Sequence, residues 1–283
     1  MSILETILDN KNIVLDHLKI LKVRSYFVYL AGSLVEGFGN EGSDIDVYVI
    51  YDSSEDISIK SSNQNEVLLK TEFSYVNNII HDGKRFDFEY WSINDVKNLI
   101  DKVNSINPNA EQYLIRLNKE EQDFLHRFKI SQCIYNEELY NKYKQQVSFE
   151  KLQFIQAVSL SEQYSSYIED LQGALDSGDL ETAYLITHLL IETALTSFLC
   201  ANGETNPSRK WLLRKLGKYE TKVNDSSIKD TYFDLLSYRF DTSNIRDYIE
   251  KSIEFTTKLN LKTQQFLKQI QKNTGIGERD FEA

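Results

Sequence analysis

Residues 31–46 read Ala31-Gly32-Ser33-Leu34-Val35-Glu36-Gly37-Phe38-Gly39-Asn40-Glu41-Gly42-Ser43-Asp44-Ile45-Asp46, and the run that follows, Val47-Tyr48-Val49-Ile50, makes the end of this stretch a strand. Side chains alternate along a strand, so Asp44 and Asp46 are expected on one face, with Ile45 and Val47 on the other. Two carboxylates held side by side raise each other's pKa unless a cation or a donor lies between them. A divalent ion answers that need, and Mg²⁺ takes a few carboxylates, water and phosphate oxygens rather than a full protein cage. Upstream, Tyr26-Phe27-Val28-Tyr29-Leu30 reads as another strand delivering the chain to Gly32-Ser33. There a glycine lets the backbone approach a phosphate, and Ser33 with the amides after it supplies donors at a helix start. Alone, an Asp-x-Asp or a Gly-Ser is commonplace; joined at this spacing they describe one site.

The pattern resembles the signature of the DNA polymerase β-like nucleotidyltransferase superfamily: an apolar residue, Gly, Gly or Ser, an interval, then acid-apolar-acid-apolar. Here the match is Ala31-Gly32-Ser33, ten residues, Asp44-Ile45-Asp46-Val47. The resemblance implies a third acid on a later strand, and Lys84-Arg85-Phe86-Asp87-Phe88-Glu89-Tyr90-Trp91 offers two on one face. Asp87, nearer the strand start, is preferred, with Glu89 the alternative. It further implies that Asp44, Asp46 and Asp87 hold two Mg²⁺ ions against a triphosphate, ATP for preference. Gly32, Ser33 and Ser43 would lie about the phosphates while an acceptor hydroxyl attacks the α-phosphorus.

The 283 residues are 41% hydrophobic and 12% aromatic, enough for one large core or two modest ones. The fold class expected is α+β: a mixed sheet with helices over residues 1–140, then an all-α helical bundle over 141–283. Within the first part the spacing gives a helix over 3–22, strands about 66–76 and 84–91 with a turn at His81-Asp82-Gly83, a helix capped by Ser92, and a serine-rich loop over 52–65. Helices are expected at 149–176, 179–201, 208–218, 227–239 and 244–273, with a loosely ordered tail from 272. Only Pro108 and Pro207 occur, so little interrupts these helices, and no Gly/Pro-rich linker marks the boundary.

This order resembles the aminoglycoside nucleotidyltransferases, in which a minimal transferase domain precedes a helical bundle. On that resemblance Arg209 or Lys210, in Asn206-Pro207-Ser208-Arg209-Lys210-Trp211, would neutralise triphosphate charge, and Tyr238 would contact phosphate. Glu181, His188 and Glu192, with Tyr184 beside them, form a polar stripe on an apolar helix. Glu192 or His188 would touch the acceptor if that stripe faces a cleft; otherwise neighbouring helices satisfy it. Trp91 reads as core, and His17, His81 and His126 as structural or surface residues.

Composition bounds the partners. The 43 acidic residues against 32 basic give a net charge of −11, which argues against a nucleic-acid footprint and suits a cationic or neutral small acceptor. Cys133 and Cys200 read as reduced thiols. No signal peptide or membrane span is read, so a cytoplasmic location is expected. The leading activity is transfer of a nucleoside monophosphate to a small molecule. The alternatives are nucleotide transfer to a protein, as in toxin–antitoxin systems, and a non-catalytic nucleotide-binding protein. Acceptor, base preference and oligomeric state leave no trace.

Overall fold

A computed structural model describes residues 11–20, 25–52, 67–110, 115–205 and 209–279. The chain forms two compact units: one of residues up to Ser105 with Leu117–Phe149, the other of Ile106–Arg116 with the chain from Glu150 onward.

The first unit is built on a six-stranded mixed sheet of order β3-β4-β5-β2-β1-β6. Its strands are β1 (Ser25–Ala31), β2 (Ile45–Tyr51), β3 (Val67–Lys70), β4 (Ser74–His81), β5 (Lys84–Ser92) and β6 (Gln132–Tyr135). The β2–β5 pair is parallel, whereas β1–β2, β1–β6, β3–β4 and β4–β5 are antiparallel. One sheet face carries Val28, Leu30, Ile45, Val47, Val49, Phe86, Phe88 and Tyr90, covered by Val14 and Leu18 of helix α1 (Lys11–Ile20). The opposite face is aromatic. Tyr29 stacks on Tyr48 with centroids 5.0 Å apart, and Trp91 lies 4.3 Å from Phe124 on helix α4 (Lys119–Ile130). Between β1 and β2 the chain makes the short helix α2 (Gly32–Val35), and α3 (Ile93–Asn104) follows β5 with Ser92 as its N-cap.

Two elements differ from the sequence expectation. The single strand expected over 66–76 is two, because the chain turns at Thr71, whose hydroxyl accepts from the Ser74 amide at 2.9 Å and is tied to Glu120 of α4. Strand β6 and helix α5 (Glu137–Gln146) add to the first unit two elements that no strand or helix range read from the sequence covers. The serine-rich loop beyond Asp52, the start of the N-terminal helix, and Asn206, Pro207 and Ser208 fall outside the described residues.

The second unit is helical: α6 (Phe149–Ser177), α7 (Leu180–Ala201), α8 (Leu212–Val223) after a 3₁₀ turn at Arg209–Trp211, α9 (Ser227–Leu236) and α10 (Ile245–Arg279). The last helix runs on to Arg279, into the segment expected to be a loose tail. Its core gathers Leu190, Ala194, Leu195 and Phe198 of α7 with Leu216, Tyr248 and Leu259. By length and composition α7 qualifies as a membrane span, contrary to the sequence expectation, yet 61% of its apolar window is buried within the structure.

Candidate active site

The parallel pairing of β2 and β5 creates the site. Asp46 is the register partner of Asp87, and one step deeper Tyr48 is the partner of Glu89. Residues two apart share a face, so Asp46, Tyr48, Asp87, Glu89 and Trp91 all point toward α4. Asp44 immediately precedes β2 rather than lying within it, and its side chain is half-exposed.

Gly32 fixes the approach of the first motif half to the second. Its φ of +76° is left-handed, and a Cβ there would stand 1.8 Å from Asp46 Oδ2. Residue 32 must therefore be glycine for both backbone and space. Phe38 and Glu36 amides then donate to the Ser33 and Gly32 carbonyls at 2.8 and 3.0 Å, closing the turn that α2 begins. Ser43 belongs to a second turn, its hydroxyl accepting from the Asn40 amide at 2.9 Å.

Two arginines, neither assigned a role from sequence, compensate the acids. Arg127 of α4 places Nη1 2.8 Å from Asp46 Oδ1 and donates Nε to Asp123 at 2.7 Å, its guanidinium 5.9 Å from the Tyr48 ring centre. Arg85 grips Asp87 with two hydrogen bonds of 2.7 and 3.1 Å and lies 3.7 Å from Asp44. His126, one position before Arg127, meets Glu36 at 3.5 Å, so α4 holds both the Gly-Ser turn and the acid strand.

Burial lifts the Asp46 pKa, opposed by Arg127. Burial likewise lifts Asp87, opposed by Arg85 and reinforced by Asp44. The Asp87 hydrogen bonds hold Arg85 above its ordinary value. Around Arg127, burial works to lower the pKa, but Tyr48, Asp46, Asp123 and Glu89 together outweigh it and the guanidinium stays charged. Glu89 is of another kind: burial pushes it up to about 7, and Trp91 Nε1 donates to its Oε1 at 2.6 Å. Trp91, 1% exposed, is core, as its sequence position suggests, and it also anchors Glu89.

The donor set suits a hard divalent cation. Asp44, Asp46 and Asp87 offer only carboxylate oxygens, Asp46 and Asp87 stand side by side, and Asp46 Oδ2 occupies the space that the missing Gly32 Cβ leaves open. Among the described residues no group of three or more acids, histidines or cysteines is already gathered as a metal cage, and guanidinium groups supply the opposing charge.

In the helical unit Tyr184, His188 and Glu192 each meet a residue of another segment. Tyr184 Oη donates to the Tyr238 carbonyl at 2.8 Å, and Tyr238 stacks on Tyr248 at 4.3 Å. His188 packs edge-on to Tyr184 and its Nε2 lies 3.3 Å from Tyr248 Oη, with burial lowering its pKa. Glu192 is ion-paired with Arg209, and both line a cavity of about 310 Å³ with Leu212 and the buried Lys215. Lys210 is exposed and lies 4.9 Å from the Trp211 ring centre.

A family model described as "Nucleotidyltransferase domain" matches residues 13–155, which is half of the chain. A solved structure, a nucleotidyltransferase-like protein from Exiguobacterium sibiricum 255-15, aligns at 10% identity with a TM-score of 0.47, over 94% of this chain and 80% of that one. No curated protein matches the chain.

Proposed function

The chain belongs to the nucleotidyltransferase domain family, and on that footing we propose that it transfers a nucleoside monophosphate from an NTP, ATP by preference, to a hydroxyl of a small-molecule acceptor. The observation that carries this reading is the register pairing of Asp46 with Asp87 beside the Gly32 turn. It brings the two halves of the signature and a third acid to one end of the parallel strand pair.

In this reading Asp44, Asp46 and Asp87 hold Mg²⁺. The bound ion would supply charge neutralisation for the phosphates and polarisation of the α-phosphorus. Gly32 leaves room for the Asp46 carboxylate, and Arg127 fixes the orientation of that carboxylate. Asp87, lifted by burial, is the carboxylate suited to take the acceptor's hydroxyl proton. Glu89, deeper and held by Trp91, backs the site and is not assigned to the reaction. The net charge of −11 supports a cationic or neutral acceptor.

The test is pyrophosphate release from each NTP with Mg²⁺ and a panel of polyhydroxylated amines, comparing the native chain with Asp46→Asn. Acceptor-dependent release that vanishes in the variant is expected. Native rates in Asp46→Asn would sink the assignment, and a nucleotide adduct on a co-purified protein would move the acceptor from small molecule to protein.

A further inference from the structure

We infer that Arg85 is the resident counterion of Asp44 and Asp87, and that a divalent cation reaches those carboxylates by displacing its guanidinium. The inference rests on the reading of these acids as the cation site and adds a competitor built into the same strand.

The two arginines at the site are not equivalent. Arg127 is anchored from behind by Asp123, packs over Tyr48, and is only 26% exposed. It is a fixed part of the floor. Arg85 sits at the start of β5, two residues before Asp87 and on the same face, and its side chain is 47% exposed. It bonds Asp87 through both Nε and Nη2 and reaches toward Asp44 through Nη1, so one guanidinium spans the two carboxylates. A planar fork matches a carboxylate well, yet at this exposure it competes with water and leaves at modest cost.

The charge count gives the consequence. Asp44, Asp46, Asp87 and Asp123 against two arginines leave two net negative charges while Arg85 is seated and three once it swings away. A free cation therefore meets a half-neutralised cluster. Released from Asp87, the guanidinium stays at the mouth of the site, where it favours phosphate oxygens.

Mn²⁺ titration calorimetry without nucleotide tests this, using the native chain, Arg85→Gln, Arg85→Lys and Asp87→Asn, each first shown to be folded by its thermal melt. Arg85→Gln is expected to bind Mn²⁺ about two- to fivefold more tightly, the gain from removing an exposed ion pair. Arg85→Lys, which keeps the charge, should stay near the native affinity, and Asp87→Asn should bind more weakly. If Asp87→Asn weakens binding while Arg85→Gln leaves it unchanged or lowers it, the cation site stands and the role of Arg85 is overturned. If Asp87→Asn binds Mn²⁺ as the native chain does, the cation is elsewhere and both readings fall.

Discussion

The α-carbon of Gly32 lies directly against the carboxylate of Asp46, so close that a methyl group at position 32 would stand 1.8 Å from Oδ2 and 3.2 Å from Arg127 Nη1. The glycine of the signature is thus a spacer for the second acid, beside the phosphate contact proposed for it. Gly32→Ala is expected to push Asp46 off Arg127 and to strain a backbone at φ +76°. The expected result is a loss of turnover of about a hundredfold or more in a chain that still folds. Pyrophosphate release measured beside a thermal melt checks it, and native turnover would refute the spacer role.

Arg127 stands between Asp46 and Asp123, and removing it leaves two partly buried carboxylates without their shared cation. Arg127→Met should destabilise the first unit by about 2–3 kcal/mol, less than for a fully buried pair because a quarter of the side chain is exposed. Arg127→Lys should recover part of that loss. Denaturant titration of the three proteins measures it, and a native midpoint in Arg127→Met would show that the pairing carries no stability.

Glu89 gives a pH dependence of definite sign. Its pKa is raised from 4.5 to about 7 in the folded chain. The folded state therefore holds a proton that the unfolded chain has released between those values. The Glu89 contribution to stability is full below pH 4.5, falls as pH rises through that window, and is lost above 7. Glu89→Gln keeps an acceptor for Trp91 Nε1 and removes the titration. Melts from pH 4 to 8 should show the variant gaining on the native chain as pH rises, by about 3 kcal/mol at the upper end. A constant difference across the range would contradict the assignment.

Asp44→Asn and Asp46→Asn are isosteric, and each leaves the sheet and the Gly32 turn in place. Both should abolish turnover with little change in melting temperature. A large drop in melting temperature would instead make these acids structural.

The parts of the site closest in sequence were the most legible. Gly32-Ser33 and Asp44-x-Asp46 announce themselves by spacing, and the two-residue strand period put Asp87 and Glu89 on a common face. What sequence left open between those two acids is a matter of register, and only the pairing places Asp87 beside Asp46 and Glu89 beside Tyr48. Arg127 was invisible for another reason: four residues after Asp123 on a helix, it reads as an ordinary solvated ion pair, and nothing local points to Asp46. Strand β6 is four residues between two helices, too short for alternation to register. The Thr71 turn carries no Gly or Pro, so β3 and β4 read as one strand. The polar stripe on α7 was legible as a stripe, but Tyr238, Tyr248 and Arg209, which satisfy it, come from distant segments.

The parallel alignment of β2 with β5 ties the hydrophobic layer and the acids to one register. Slipping the pair by one residue would set Phe86 or Phe88 beside Asp46 and turn Asp87 and Glu89 against the wrong layer, because every side chain changes face together. Since β3 and β4 intervene between the partners, this alignment closes late and from afar. A chain that mispairs these strands thus loses the buried phenylalanine layer along with the acid pair, so the core itself penalises a misassembled site.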